Sequence, residues 1–230
     1  MIFENVKRVL GEIADAALSS SRDPSEITLV AVTKTRTVDE IREAVKAGIN
    51  HLGENRVQEA AEKISLLEKG PVWHLVGSLQ SNKAKASAGL FEWIDSVQSK
   101  KIADILSGQA QSMGKTLQVL LQVNISGEDS KSGVTPEQTK DLLLYTESLP
   151  RLAVRGLMTI GSFSVSPEVT RNEFRQMKKL FDTLRDDPQV KPCLDTLSMG
   201  MSGDFRIAVE EGATMVRIGQ AIFGNTFRGL

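Results

Sequence analysis

Lys34 closes the run Ile27-Thr-Leu-Val-Ala-Val-Thr-Lys34. An amine at the end of a buried apolar strand loses water, which lowers its pKa and frees it as a nucleophile toward aldehydes. Schiff-base chemistry is the natural use, although a strand-end lysine whose ammonium simply reaches water fits the same pattern. Toward the other end of the chain, Ser202-Gly203-Asp204 opens a helical pattern. The hydroxyl and the first N–H groups of that helix make an anion site reinforced by the helix dipole, or an ordinary serine N-cap. Gly219 follows Val216-Arg-Ile218 and lets an anion reach backbone N–H groups with no side chain in the way, or serves as a turn residue. His74, in Trp73-His-Leu-Val-Gly77, is a base or a satisfied buried imidazole, and the second reading is preferred. His51 reads as structural, early in its strand. Cys193 has no histidine near it in sequence to make it a nucleophile, and no zinc-ligand spacing occurs.

These residues need a scaffold that brings them together. The chain alternates apolar runs of strand length with helical patterns from end to end. Val6, Val9, Leu10, Ile13 and Ala17 stand at helical spacing ahead of the first strand. Seven more strands are predicted at Asn50–Gly53, Val72–Gly77, Trp93–Val97, Leu117–Asn124, Ala153–Ile160, Thr196–Gly200 and Met215–Gly219. Thr37 with Glu40 predicts a capping box for the helix that ends at Gly48, and Thr135-Pro-Glu-Gln138 combines an N-cap, a first-turn proline and a capping-box glutamine. Eight β units with helical crossovers predict an α/β protein of the (β/α)8 TIM-barrel type, with an open doubly wound sheet as the rival. Closure is favoured because only 11 residues follow Gly219, too few for a full last helix, while the leading helix can cover that gap. Residues 1–230 read as a single domain.

In such barrels the active site forms at the C-terminal strand ends, often with a phosphate held after strands seven and eight. Lys34 on strand one and an anion cradle after strands seven and eight together suggest an aldehyde-bearing phosphate as ligand. Pyridoxal 5′-phosphate (PLP) and a sugar phosphate both meet that description.

Composition removes other classes. Lys+Arg at 28 against Asp+Glu at 29 leaves a net charge of −1, without the excess that recruits nucleic acid or anionic membranes. The longest uncharged stretch, Gly70 to Asn82, is 13 residues, short of the roughly 20 needed to span a bilayer. One cysteine cannot form an intrachain disulfide, and no basic-then-apolar signal opens the sequence, so the cytoplasm is expected.

In this order, Val30-Ala-Val-Thr-Lys34, Gly53-Glu-Asn-Arg-Val-Gln-Glu59, Trp73-His-Leu-Val-Gly77, Leu79-Gln-Ser-Asn-Lys83, Val123-Asn124, Ser130-Lys-Ser-Gly133, Arg155-Gly-Leu-Met158, Leu197-Ser-Met-Gly-Met-Ser202 and Val216-Arg-Ile-Gly219 resemble the pyridoxal phosphate homeostasis proteins, whose fold is that of the alanine racemase N-terminal domain. The resemblance covers nearly the whole chain. It implies that Lys34 forms the Schiff base with PLP, that Ser202, Gly219 and the backbone N–H of Gln220 hold the phosphate, and that Arg217 faces the pyridine nitrogen. Asn55, Met158 and Ser198 match positions that line the pocket. Gln220 departs from the family, which usually carries a small hydroxyl residue there, so a side-chain phosphate contact is lost while the backbone donor survives.

A guanidinium at the ring nitrogen has no readily transferable proton and leaves the pyridine unprotonated, which weakens the electron sink. Racemases of this fold also take a tyrosine base from a second domain. The single tyrosine here, Tyr145, falls in the helix after Thr135 and reads as packed or solvated. Met199 and Met201 read as core or pocket lining. Gly127–Gly133 reads as a solvated loop, with Lys131 a weaker candidate for helping cofactor transfer. The main expectation is a non-catalytic, cytoplasmic, monomeric PLP carrier in vitamin B6 and amino-acid balance, with PLP-dependent apoenzymes as transient partners. A PLP-dependent racemase-like enzyme is the alternative, and a barrel aldolase acting on sugar phosphates is the third reading.

Overall fold

The computed structural model describes residues 1–67, 70–128, 130–162, 166–190 and 193–224. In chain order the elements are α1 (Ile2–Ser19), β1 (Thr28–Val32), α2 (Val38–Lys46), β2 (His51–Glu54), α3 (Val57–Leu66), β3 (Val72–Leu75), α4 (Ser81–Leu90), β4 (Trp93–Val97), α5 (Lys100–Ser112), β5 (Leu117–Gln122), α6 (Pro136–Ser148), β6 (Leu152–Met158), α7 (Pro167–Arg185), β7 (Thr196–Ser198), α8 (Phe205–Glu210), β8 (Met215–Ile218) and α9 (Gln220–Phe223). All neighbouring strands pair in parallel, and β1 pairs with β8 from Thr28↔Met215 to Ala31↔Ile218. The sheet is therefore a closed eight-stranded barrel, and the open-sheet alternative is excluded.

The leading helix does what its position requires. It packs against α2, α8 and α9, burying Val6, Val9 and Ile13. It is tied to the short final helix by Asn5 Nδ2 donating to the Ile222 carbonyl at 2.8 Å and Arg8 Nη2 to the Ala221 carbonyl at 2.9 Å. A four-residue α9 could not cover this flank of the barrel alone. The capping box at Thr37 is formed, with Glu40 accepting from the Thr37 N–H at 2.7 Å and the Thr37 hydroxyl accepting from the Glu40 N–H at 3.3 Å. Gly48 lies past that helix at φ +104°, a left-handed conformation that costs glycine little.

Two apolar layers share the strands. Val30, Val76, Leu120, Met158 and Met215 fill the barrel interior, while the alternate residues Leu29, Ala31, Leu52 and Leu75 join the larger core under the helices. Five strands stop two residues earlier than the apolar runs predict, at Val32, Leu75, Gln122, Met158 and Ser198. The first residue past each of those ends still donates to the neighbouring strand, as the Val123 N–H does to the Met158 carbonyl at 2.8 Å, and loop partners follow, as where the Asn124 N–H donates to the Val134 carbonyl at 2.9 Å. Among the described residues no helix is long and apolar enough to cross a membrane.

Candidate functional site

The C-terminal mouth of the barrel opens into a cavity of about 550 Å³ whose wall includes Val32, Lys34, Met201, Ser202, Gly203, Asp204, Arg217, Gly219 and Gln220. A second cavity of about 350 Å³ adjoins it and shares Val32, Lys34, Gly219 and Gln220. Both sizes are in the range of small-molecule pockets. Five residues singled out in the sequence, Lys34, Ser202, Arg217, Gly219 and Gln220, thus meet in one place although they come from opposite ends of the chain.

Arg217 sits at the base of this cavity. It is 4% exposed, and its guanidinium donates from Nη1 to Ser198 Oγ at 2.6 Å and from Nη2 to the Thr159 carbonyl at 2.8 Å. Burial pushes its pKa down, while Asp95 and Asp204 oppose that shift. An arginine so placed stays cationic at neutral pH, because its unperturbed pKa is so high. Asp204 is itself pushed up by burial. Arg217 and Lys34 therefore give the cavity two cationic side chains, against one carboxylate whose charged form burial disfavours.

Ser202 plays a different part from the one its sequence context suggests. Helix α8 starts at Phe205 and the N-cap position is Asp204, whose Oδ1 accepts from the Met201 N–H at 2.6 Å. The Ser202 hydroxyl instead accepts from the Ala221 N–H at 3.1 Å, so it joins the loop after β7 to the turn after β8. Gly219 is held close to the end of β1. A Cβ on it would lie 3.1 Å from the Val32 carbonyl oxygen and 3.4 Å from Val32 Cβ, while a Cβ on Gly203 would meet nothing within 4 Å. Gly203 and Gly219 thus leave bare backbone along one edge of the cavity.

Lys34 also differs from expectation. The strand ends at Val32, and Lys34 is exposed at the mouth, so burial in the sheet does not desolvate it. The next residue, Thr35, has φ +63°, an uncommon left-handed conformation for a β-branched side chain.

Three residues implied by the resemblance lie off the cavity wall. Ser198 is fully buried beneath it and reaches it through Arg217. Met158, also fully buried, pairs in register with Ser198 and belongs to the interior core. Asn55 lines a separate cavity of about 380 Å³ with Arg56, Leu79 and Lys83, and its backbone packs on Gly77, where a Cβ would come within 2.4 Å of the Asn55 carbonyl.

His74 is a satisfied buried imidazole. Its Nδ1 is 3.2 Å from Asp95 Oδ1, its Nε2 is 3.0 Å from His51 Nδ1, and its ring stacks on Trp93 at 5.2 Å. The His51 pKa is lowered from 6.5 to about 4, first by burial and then by His74, with Asp95 pulling it upward. An unfolded chain takes up this proton near pH 6.5 and the folded one only near pH 4. Stability therefore falls as the pH drops through that window. Urea denaturation at pH 7.5 and pH 4.5 checks this, and His51→Gln is expected to flatten the difference.

Thr159, Asp95 and Asp204 were not anticipated as neighbours of Arg217. Asp95 carried a signal, a carboxylate within the apolar run Trp93-Ile-Asp-Ser-Val97. Tyr145 stands on α6, where its hydroxyl donates to Asp104 Oδ1 at 2.7 Å, and a base there is remote from the barrel mouth. Met199 is core and Met201 lines the cavity. Lys131 donates to Glu128 Oε1 at 2.6 Å and to the Gly161 carbonyl at 3.1 Å; Asp129 of the same loop lies outside the described residues. The Cys193 thiol donates to the Val154 carbonyl at 3.2 Å. Among the described residues no group of three or more His, Cys, Asp or Glu is arranged to hold a metal.

Residues 17–226 match the family described as alanine racemase, N-terminal domain. The pyridoxal phosphate homeostasis protein of Pasteurella multocida is 42% identical over 229 residues, covering 97% of each chain. A protein of unknown function from Bifidobacterium adolescentis superposes with a TM-score of 0.88 at 36% identity, over 96% of this chain and 94% of that one. PipY of Synechococcus elongatus, solved with PLP bound, gives a TM-score of 0.80 at 37% identity, over 92% of this chain and all of that one.

Proposed function

The chain belongs to the pyridoxal phosphate homeostasis proteins, a family built on the alanine racemase N-terminal domain, and from that membership we propose that it binds PLP at the barrel mouth and carries it without turning over a substrate. The observation that carries this reading is the convergence of an amine, a buried guanidinium, a hydroxyl and a glycine-lined backbone edge on one cavity. That donor set fits PLP group by group.

When bound, PLP supplies an aldehyde that condenses with a primary amine, forming a C=N bond and releasing one water. Lys34 provides the amine. Arg217, fixed in orientation by Ser198 and Thr159, would face the ring nitrogen, and its guanidinium does not readily give up a proton. Ser202, Gly219 and the backbone N–H of Gln220 would hold the phosphate, and the bridge from Ser202 to Ala221 ties the loop after β7 to the turn after β8. Met158 gives the interior an apolar floor, and Asn55 stands at the neighbouring strand end.

The non-catalytic part is supported by the prior engagement of the candidate second bases among the described residues: Asp204, on the cavity wall with Lys34, accepts from the Met201 N–H at 2.6 Å. His74 is committed to His51 and Asp95, and Tyr145 is on the outer helix layer. The chain acts as a monomer, since one barrel supplies every residue of the site, and it hands PLP to dependent apoenzymes in the cytoplasm, where a single cysteine is at home.

Incubation of the PLP-loaded protein with a panel of amino acids in D2O tests the carrier reading. The expected result is no deuterium at Cα above a Lys34→Ala control. Sustained exchange would establish the racemase-like alternative instead.

A further inference from the structure

Behind Lys34, on the side of β1 and β2 that faces α3, lies a cluster of charges that the cavity does not use. Lys63 on α3 is buried, with its side chain 8% exposed. Its ammonium donates to Glu54 Oε1 at 2.6 Å, to Glu59 Oε1 at 2.7 Å and to the Thr33 carbonyl at 2.6 Å. All three ammonium hydrogens are thereby used. The two carboxylates then grip the residues on either side of Lys34. Glu54 Oε1 accepts from the Thr33 hydroxyl at 2.6 Å, and Glu59 Oε1 accepts from the Thr35 N–H at 2.5 Å. Thr35 is the residue held at φ +63°, a conformation that persists only where its surroundings over-determine it.

We propose that Glu54, Glu59 and Lys63 form a buried ionic clamp that sets the Lys34 turn and so presents its amine to the barrel mouth. The three are positioning residues and touch no ligand. The turn explains how they act from behind: Lys34 and Thr35 sit inside the turn that the Arg36 N–H closes onto the Thr33 carbonyl at 3.0 Å, with Lys34 on the cavity wall and Thr33 on the helix side, where it meets Glu54 and Lys63. The clamp fixes both neighbours of Lys34 while leaving its side chain at the cavity. Thr35 would otherwise relax out of the left-handed region and swing the amine with it. This inference rests on the PLP reading of Lys34.

The test uses the full chain and four forms: wild type, Lys63→Met, Glu59→Ala and Glu59→Gln. Taking the cation out of a buried cluster leaves two carboxylates uncompensated, so Lys63→Met loses stability as well. Glu59, at the rim of the cluster and 25% exposed, is the milder site, and glutamine there still offers an oxygen to the Thr35 N–H. Two readouts are taken: amide exchange at Thr35, without ligand, and the rate at which added PLP becomes borohydride-fixed to Lys34. Because small displacements of a reacting group cost one to two orders of magnitude in rate, Glu59→Ala is expected to label at least ~10-fold more slowly than wild type. The Thr35 amide should exchange faster in the same variant, Glu59→Gln should label at close to the wild-type rate, and thermal unfolding of both should stay near wild type. Faster exchange at Thr35 with unchanged labelling, or no change in either, would overturn the clamp alone. A wild type that never labels on Lys34 would overturn the PLP reading and the clamp's role with it.

Discussion

Replacing Lys34 by alanine is expected to abolish the visible absorption that PLP acquires on the protein and to weaken its binding at least ~100-fold, about 2.7 kcal/mol. The loss is large because the covalent bond goes, and moderate because the anion contacts stay. Ser202, Gly203, Gly219 and Arg217 are untouched by the substitution. The variant should fold like wild type, since Lys34 is exposed and lies beyond the end of β1. A spectroscopic titration with PLP, paired with thermal unfolding, checks both halves. Unchanged absorption in Lys34→Ala would place the amine elsewhere, with Lys131 the first to examine.

The second large effect concerns the scaffold that brings the site together. Gly156 pairs with Thr196 across β6 and β7, and a Cβ there would fall 1.8 Å from the Thr196 carbonyl oxygen and 3.2 Å from Phe181 Cε2. Neither a backbone carbonyl nor a buried ring can step aside cheaply. Gly156→Ala is therefore expected to destabilise the fold by about 3 kcal/mol or more, a fall in Tm of roughly 6–12 °C for a chain of this size. PLP binding should weaken too, because β6 and β7 lead directly to Thr159 and Ser198, the partners of Arg217. Gly11, where a Cβ would meet nothing within 4 Å, is the control. As an interior residue of α1, Gly11→Ala should stabilise by about 0.5–1 kcal/mol. Equal effects at the two positions would contradict the packing described.

Much of this architecture was legible in the sequence because its signals are local. The β-branched run from Ile27 to Val32, the capping box at Thr37 and the proline-led helix at Thr135 each declare an element within a few residues. The closed barrel then followed from counting them. Strand ends were less legible, since Val123 and Thr159 still donate to the next strand and Ile160 prolongs the apolar pattern after the ladder has ended. Ser202 read either as an anion site or as the cap of its helix, and the second reading falls because the helix starts two residues later, with Asp204 at the N-cap position.

The charges that orient the site were least legible. Glu59 and Lys63 announce themselves as an i,i+4 pair, which on most helices is a solvated surface bridge. Only the fold brings Glu54 and the Thr33 carbonyl to the same ammonium, the latter from 30 residues away. The His51–His74–Asp95 chain likewise spans three strands. The part of Arg217 was implied by the motif that resembles the family, while its anchors lie on β7, at Ser198, and just past β6, at Thr159. In each case a local pattern named the residue and a long-range contact gave it its part.

The most direct test of the account is to reduce the PLP-loaded wild-type protein with borohydride and map the peptides by mass. A single pyridoxyl adduct, on Lys34, is the expected result. An adduct on another lysine, or none after saturation with PLP, would contradict it.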